Sequence, residues 1–371
     1  MPEWREKEKR YYSIQLLRFI FCVVIVNYHF FSHYLRDAVG LKNFFCRGYL
    51  GDECFFMVSG FFLAQAVMKS AQDEKDTRPF YYTLRRISKI AVPYYATWLL
   101  CFIGGRISEI MSGNPAHVIS SLLNSIYELT FVEMLGFKDG LYSNALSWYF
   151  SALIISIFVI YPFLQHFKKK YLLIVAPLVG FSLLARLSME FDYLYYPHKI
   201  FPNFPIMKGM VRAFADVNLG VFIFGIIEEC KDRRISTASR RAMRMLSWLL
   251  WIGVLAYVNY PFASNTADIT IQYDYIFTLV IFVALLITFF VDQHTENKGS
   301  RSERISVYVF FGQAIPYTMC THLFALDIRT RYKFLLLYLC VIACSFIIWQ
   351  VDRLSKCYSN SRKMKGVGSN Q

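Results

Sequence analysis

Ten separate stretches of this chain are long and apolar enough to cross a lipid bilayer. They lie at about 13–34, 48–69, 87–106, 144–165, 170–187, 206–228, 245–265, 272–292, 305–326 and 333–351. A membrane-spanning helix needs roughly 20 mostly apolar residues, and backbone polar groups in hydrocarbon must be satisfied within the segment. The expected fold class is therefore all-α: a polytopic membrane protein of about ten transmembrane helices. Composition agrees, with 56% hydrophobic residues and only 18% charged, against about a quarter charged in soluble domains. A single soluble core has no room for so much apolar side chain.

The charges orient the chain. Lys and Arg concentrate in 1–12, 69–89, 168–170, 231–244, 298–304 and 353–365, and are sparse in the intervening loops. Basic loops stay on the cytoplasmic side, so both termini are expected to be cytoplasmic and the protein to sit in the cell (plasma or inner) membrane. The same distribution accounts for the net charge of +14 without nucleic acid as a partner, because the cations lie between apolar segments. The first apolar segment lacks a small-residue cleavage site and reads as a retained helix. A membrane domain is expected over 1–351, with a short, basic, disordered tail at 352–371 and no appended soluble domain. Loop 107–143 carries an apolar-periodic stretch near 118–137, expected to be an interfacial or re-entrant helix. Loop 188–205, with Pro197, Pro202 and Pro205 among aromatics, reads as an irregular cap on the outer face.

The nine Cys are scattered, mostly within apolar runs, with no C-x-x-C pair. They form neither a disulfide framework nor a zinc site. No H-E-x-x-H, Walker, Rossmann or G-x-S-x-G pattern occurs, and no metal is expected.

Ionisable residues inside spans are costly and mark sites. Arg18 and His29 lie on the first span, 11 residues apart, which puts them on one face and about 16 Å apart along the axis. Glu53 enters the second span at nearly the depth of His29, so the two can meet. Gly51 and Gly60 on that span permit close helix approach. Arg86 and Lys89 share one side of the third span at its basic end and suit phosphate, the Arg as a fork and the Lys as a point charge. Asn144, Ser147, Trp148 and Ser151 open the fourth span. In the sixth, Arg212 and Asp216 are spaced i, i+4 and are expected to neutralise each other. His322 lies toward the outer end of the ninth. His33, His117, His166, His198 and His294 fall in loops or at edges and suggest no role.

Several of these residues fall into an ordered pattern: Arg18, ten residues, His29 and Phe30; Glu53 followed by Phe55, Phe56, Ser59, Gly60 and Phe61; Arg86-x-x-Lys89 leading to Pro93, Tyr94 and Tyr95; Trp148 to Ser151; and Tyr317 to His322. In this the chain resembles the acyltransferase 3 family of multi-pass membrane acyltransferases, departing from it at Lys89, where the family usually has Arg. The resemblance implies transfer of an acyl group, usually acetyl, from cytoplasmic acyl-coenzyme A to a hydroxyl of a cell-surface glycan or its lipid-linked precursor, with acetyl-coenzyme A a donor substrate and no permanently bound cofactor. It implies His29 as general base with Glu53 orienting it, Arg18, Arg86 and Lys89 on the coenzyme phosphates, and Ser59, Trp148 and His322 in support. Some family members carry an extra domain that passes the acyl group on, so direct transfer or a separate extracytoplasmic partner is expected here. A proton-coupled small-molecule transporter or exporter is the alternative reading of intramembrane His, Glu and Arg, but no inverted repeat or paired broken helices favour it. A non-catalytic membrane scaffold or sensor is the third.

Overall fold

A computed structural model describes residues 11–31, 45–72, 78–111, 115–136, 143–144, 146–202, 206–259, 273–294, 305–319 and 330–367. The chain is helical throughout these residues apart from its connections: α1 Tyr12–Phe30, α2 Leu50–Gln72, α3 Pro79–Met111, α4 Pro115–Asn124, α5 Ile126–Leu129, α6 Ser147–Phe167, α7 Ala176–Glu190, α8 Lys208–Glu229, α9 Thr237–Asn259, α10 Tyr273–Gln293, α11 Ile305–Thr318 and α12 Thr330–Val367. Among the described residues nine helices have the length and hydropathy to cross a membrane, which makes the protein a polytopic helical membrane protein. The expected ninth span, 305–326, is described as helix only over the 14 residues of α11, and His322 lies outside the described residues.

Helix ends overshoot the apolar windows. The first two turns of α9 hold Arg240, Arg241 and Arg244, which hydropathy excludes from a span. Ser236 caps that helix, its Oγ accepting the Ser239 N–H at 3.0 Å. At the C-terminal end, α12 continues past 351 to Val367. Residues 352–367 are thus helical where their polar composition suggested disorder. Tyr308 of α11 donates to Asp352 at 2.5 Å, which ties the first turn of this extension to the bundle.

The bundle is organised around α8, 83% of whose apolar window is buried, against 17% for α12. It packs on α2, α6, α7 and α10. Its contact with α2 is backbone on backbone: a Cβ at Gly60 would fall 2.0 Å from the Val217 carbonyl oxygen, and one at Gly220 would fall 1.9 Å from that of Met57. Small residues permit such approach where no hydrophobic drive pulls helices together. Gly51 does the same toward α1, its missing Cβ leaving room for Ile25 and Phe21.

Between α3 and α6 the chain is amphipathic, as its periodicity predicts. α4 exposes Ile119, Leu122 and Leu123, a face suited to the membrane interface. After it the chain folds inward. The Tyr94 hydroxyl donates to the Glu128 carbonyl at 2.8 Å, and Ser151 Oγ donates to the Phe131 carbonyl at 2.9 Å and accepts the Met134 N–H at 3.2 Å. Two buried carboxylates are carried in with it. Glu128 accepts from Trp98 Nε1 at 3.0 Å and from the Asn144 N–H at 3.0 Å. Ser147 Oγ lies 2.8 Å from Glu133 and 3.3 Å from Glu128. Burial raises both carboxyls, Glu133 well above the usual carboxylate range, with Glu128 beside it adding to the effect.

Candidate functional site

The apolar run of α2 distributes its side chains among three neighbouring helices and a cavity, which is why that run has the residue types it has. Phe56 stacks on Tyr149 of α6, centroids 4.5 Å apart at 24°. Phe61 stacks on Phe289 of α10, at 3.7 Å and 12°. Gly60 meets the backbone of α8, and Ser59 lies beside Tyr149 in the wall of a cavity. Phe55 and Ser59 are left facing it.

That cavity, of about 170 Å³, is walled by α1, α2, α3, α6 and α11. Arg18, Ser59, Arg86, Tyr149 and Ser306 supply its polar lining, and Phe55, Phe150, Ile154 and Phe310 much of its apolar lining. Three of the sequence-predicted residues, Arg18, Ser59 and Arg86, therefore meet in one place. Arg86 is steadied by Tyr82 one turn back, its Nη2 and Nε donating to the phenol oxygen at 2.9 and 3.2 Å. Lys89 does not line the cavity and is exposed. Three residues along a helix rotate a side chain by about 60°, enough to turn Lys89 away from the wall that Arg86 joins.

Helices α1 and α11 lie side by side and parallel. At one end Arg18 and Ser306 share the cavity, and Cys22 donates to the Ser306 carbonyl at 3.3 Å. At the other end the rings of His29 and Tyr317 lie 4.9 Å apart. The Arg18–His29 spacing recurs from Ser306 to Tyr317, so the two helices advance in step. His29 also touches Tyr28, at 5.0 Å.

Glu53 lies in a third cluster, where α2 crosses α8. Its Oε1 accepts from Arg212 Nε at 2.8 Å and Nη2 at 2.5 Å, with both side chains buried. Arg212 thus reaches across to α2 instead of closing on Asp216 within its own helix, a correction to the i, i+4 reading. Asp216 faces Glu53 carboxyl to carboxyl. Glu53 Oε2, Asp216 Oδ1 and Arg212 Nη1 are buried without a donor or acceptor among the described residues. The Trp148 ring lies under the guanidinium, 5.3 Å from its carbon, so Trp148 supports this cluster.

Arg212 is the residue whose part sequence reasoning missed. The signal was present, a charge in an apolar segment, but its partner is 159 residues away, and spacing along one helix offered a nearer candidate. Among the described residues no group of His, Cys, Asp and Glu is arranged to hold a metal ion.

Compared with known families, residues 11–351 match the family model of an acyltransferase domain. No curated protein and no solved structure matches.

Proposed function

The chain belongs to the acyltransferase 3 family and is a membrane acyltransferase, and from that premise we propose that it moves an acetyl or similar short acyl group from cytoplasmic acyl-coenzyme A to a hydroxyl of a cell-surface polysaccharide or its lipid-linked precursor. The observation that carries this reading is the arrangement along α1. Arg18 lines a cavity together with Arg86, and His29 stands about 16 Å further along the same helix. Two guanidiniums at a cavity mouth suit the phosphates of coenzyme A. The coenzyme's arm is long enough to carry a thioester over that distance. On this reading the Arg86 end is cytoplasmic, both termini lie on that side, and the protein resides in the plasma or inner membrane.

At the far end His29 takes the proton of the acceptor hydroxyl as its oxygen attacks the thioester carbonyl. The C–S bond breaks, the coenzyme thiolate leaves, and the imidazolium returns the proton to it. An ester and free coenzyme A result. On this reading Glu53, held through Oε1 by Arg212, orients the imidazole. Ser59 lies beside Tyr149 at the cavity wall, and Trp148 backs the Arg212–Glu53 pair.

Purified protein given radiolabelled acetyl-coenzyme A tests this. Release of labelled acetate or labelled product is expected from the wild type, and a loss of about a hundredfold or more in His29→Ala. Wild-type turnover in that variant would remove His29 from the chemistry.

A further inference from the structure

Loop 191–201, beside the start of α8, is tyrosine-rich and is bolted in place. The Leu194 N–H donates to Asp274 at 3.2 Å, and the Tyr275 hydroxyl donates to the Phe191 carbonyl at 2.7 Å. Lys208, fully buried, donates its Nζ to the carbonyls of Tyr193 and Tyr195 and lies 4.9–5.0 Å from the rings of Phe191 and Tyr193. The backbone is zipped to α8 by the Gly209 N–H to the Pro197 carbonyl and the Lys208 N–H to the Lys199 carbonyl, each 2.8 Å. Gly209 makes that closure possible, since a Cβ there would fall 2.8 Å from Pro197 and 3.0 Å from Trp148.

This anchoring is far more than a connection requires, and it holds one residue in a disfavoured state. Tyr196 has φ 61°, the left-handed region that a bulky side chain rarely adopts. Strain of this kind persists where surrounding structure imposes it, and it concentrates at binding sites. Here it presents a ring that is 55% exposed, 3.8 Å from that of Tyr195 and tilted 36° to it.

The rings continue inward. Tyr195 lies 5.9 Å from Tyr49, Tyr49 lies 5.6 Å from Tyr28, and Tyr28 lies 5.0 Å from His29. Tyr49 is itself pinned by a 2.6 Å bond to Asp274, the residue that holds the loop. A chain of ring contacts thus leads from the surface at Tyr196 through the buried Tyr49 and Tyr28 to the imidazole. These rings contact one another and are fixed from below by the buried Lys208 and the buried Asp274.

Resting on the acyltransferase reading above, we propose that the loop is the acceptor's docking platform and that it takes a neutral sugar ring. The C–H face of a pyranose is weakly electropositive and packs on the electron-rich face of an aromatic ring. At the surface Tyr196 and Tyr195 offer such faces, and the buried rings behind them fix the platform relative to His29. The phenol groups add hydrogen bonds at the ring edges.

The test is saturation-transfer NMR of the protein in phosphatidylcholine nanodiscs, which contribute no sugar. The probes are three trisaccharides, of N-acetylglucosamine, mannose and galactose, and wild type is compared with Tyr196→Ala, Tyr195→Ala and Tyr195→Phe. At least one trisaccharide is expected to bind, with affinity falling by about fivefold or more in the two Ala variants and by under about twofold in Tyr195→Phe, which keeps the ring. Binding that is indifferent to both Ala substitutions overturns the proposal. So does a wild type that binds acetyl-coenzyme A but none of the trisaccharides, and that result leaves the donor reading standing. Tyrosine-dependent sugar binding without acetyl-coenzyme A binding upholds the platform and overturns the donor reading. Binding of neither overturns both.

Discussion

Replacing Arg212 by Met removes the cation facing Glu53 and leaves a buried carboxylate without its partner. Breaking a buried pair from one side costs about 3–5 kcal/mol. A large fall in thermal stability is therefore expected, with much of it recovered in the Glu53→Gln/Arg212→Met double variant. Melting of the wild type, Glu53→Gln, Arg212→Met and the double variant in one detergent measures it; a double-variant loss equal to the sum of the two single losses would mean that the pair carries no coupling. Glu133 gives a pH signature of its own. Its carboxyl is raised in the folded state, so folding takes up its proton. That contribution is fully present below about 4.5, the ordinary value, and is lost as pH rises through the folded value. Relative to Glu133→Gln, the wild type should lose melting temperature as pH climbs from 4.5 into the alkaline range. Parallel curves for the two proteins would contradict the burial argument. At this scale the sequence exposed the charges but not their partners. Arg18, Ser59 and Arg86 were legible because local motifs carry them, whereas the Glu53–Arg212 pair joins two motifs far apart in the chain.

The helices were legible wherever apolar length decides the matter. Where they were not, a second constraint operates. α11, described over Ile305–Thr318, packs on α1, α3 and α12. Gly312 presses on Ser345 of α12, where a Cβ would fall 2.2 Å from the Ser345 hydroxyl. The extension of α12 is held by Asp352, invisible to a hydropathy window. The glycine contacts make the sharpest prediction about helix packing. Gly220→Ala places a methyl 1.9 Å from the Met57 carbonyl oxygen, so α2 and α8 must separate, at a cost of about 1–3 kcal/mol or more. Gly253→Ala on α9 meets nothing within 4 Å and should be neutral or stabilising by up to about 1 kcal/mol, from helix propensity alone. Thermal denaturation of both variants checks the contrast, and equal effects would contradict the backbone contact.

Across the whole molecule the functional groups divide between two ends of a parallel helix pair. Arg18, Arg86 and Ser306 line a cavity at one end of α1 and α11, and His29 meets Tyr317 at the other. Glu53 and Arg212 sit where α2 crosses α8, beside Trp148. On the proposed reading, this division lets a donor and an acceptor approach from opposite faces of the membrane, each using the groups at its own end. Its most direct test is equilibrium binding of radiolabelled acetyl-coenzyme A to the purified protein in nanodiscs, comparing wild type, Arg86→Ala and Lys89→Ala. Losing a charge-assisted contact to phosphate inside the cavity should weaken binding about ten- to a hundredfold in Arg86→Ala. Lys89, exposed and outside the lining, should change it by under about threefold. Equal losses in the two variants, or wild-type affinity in Arg86→Ala, would contradict the assignment of this cavity to the donor.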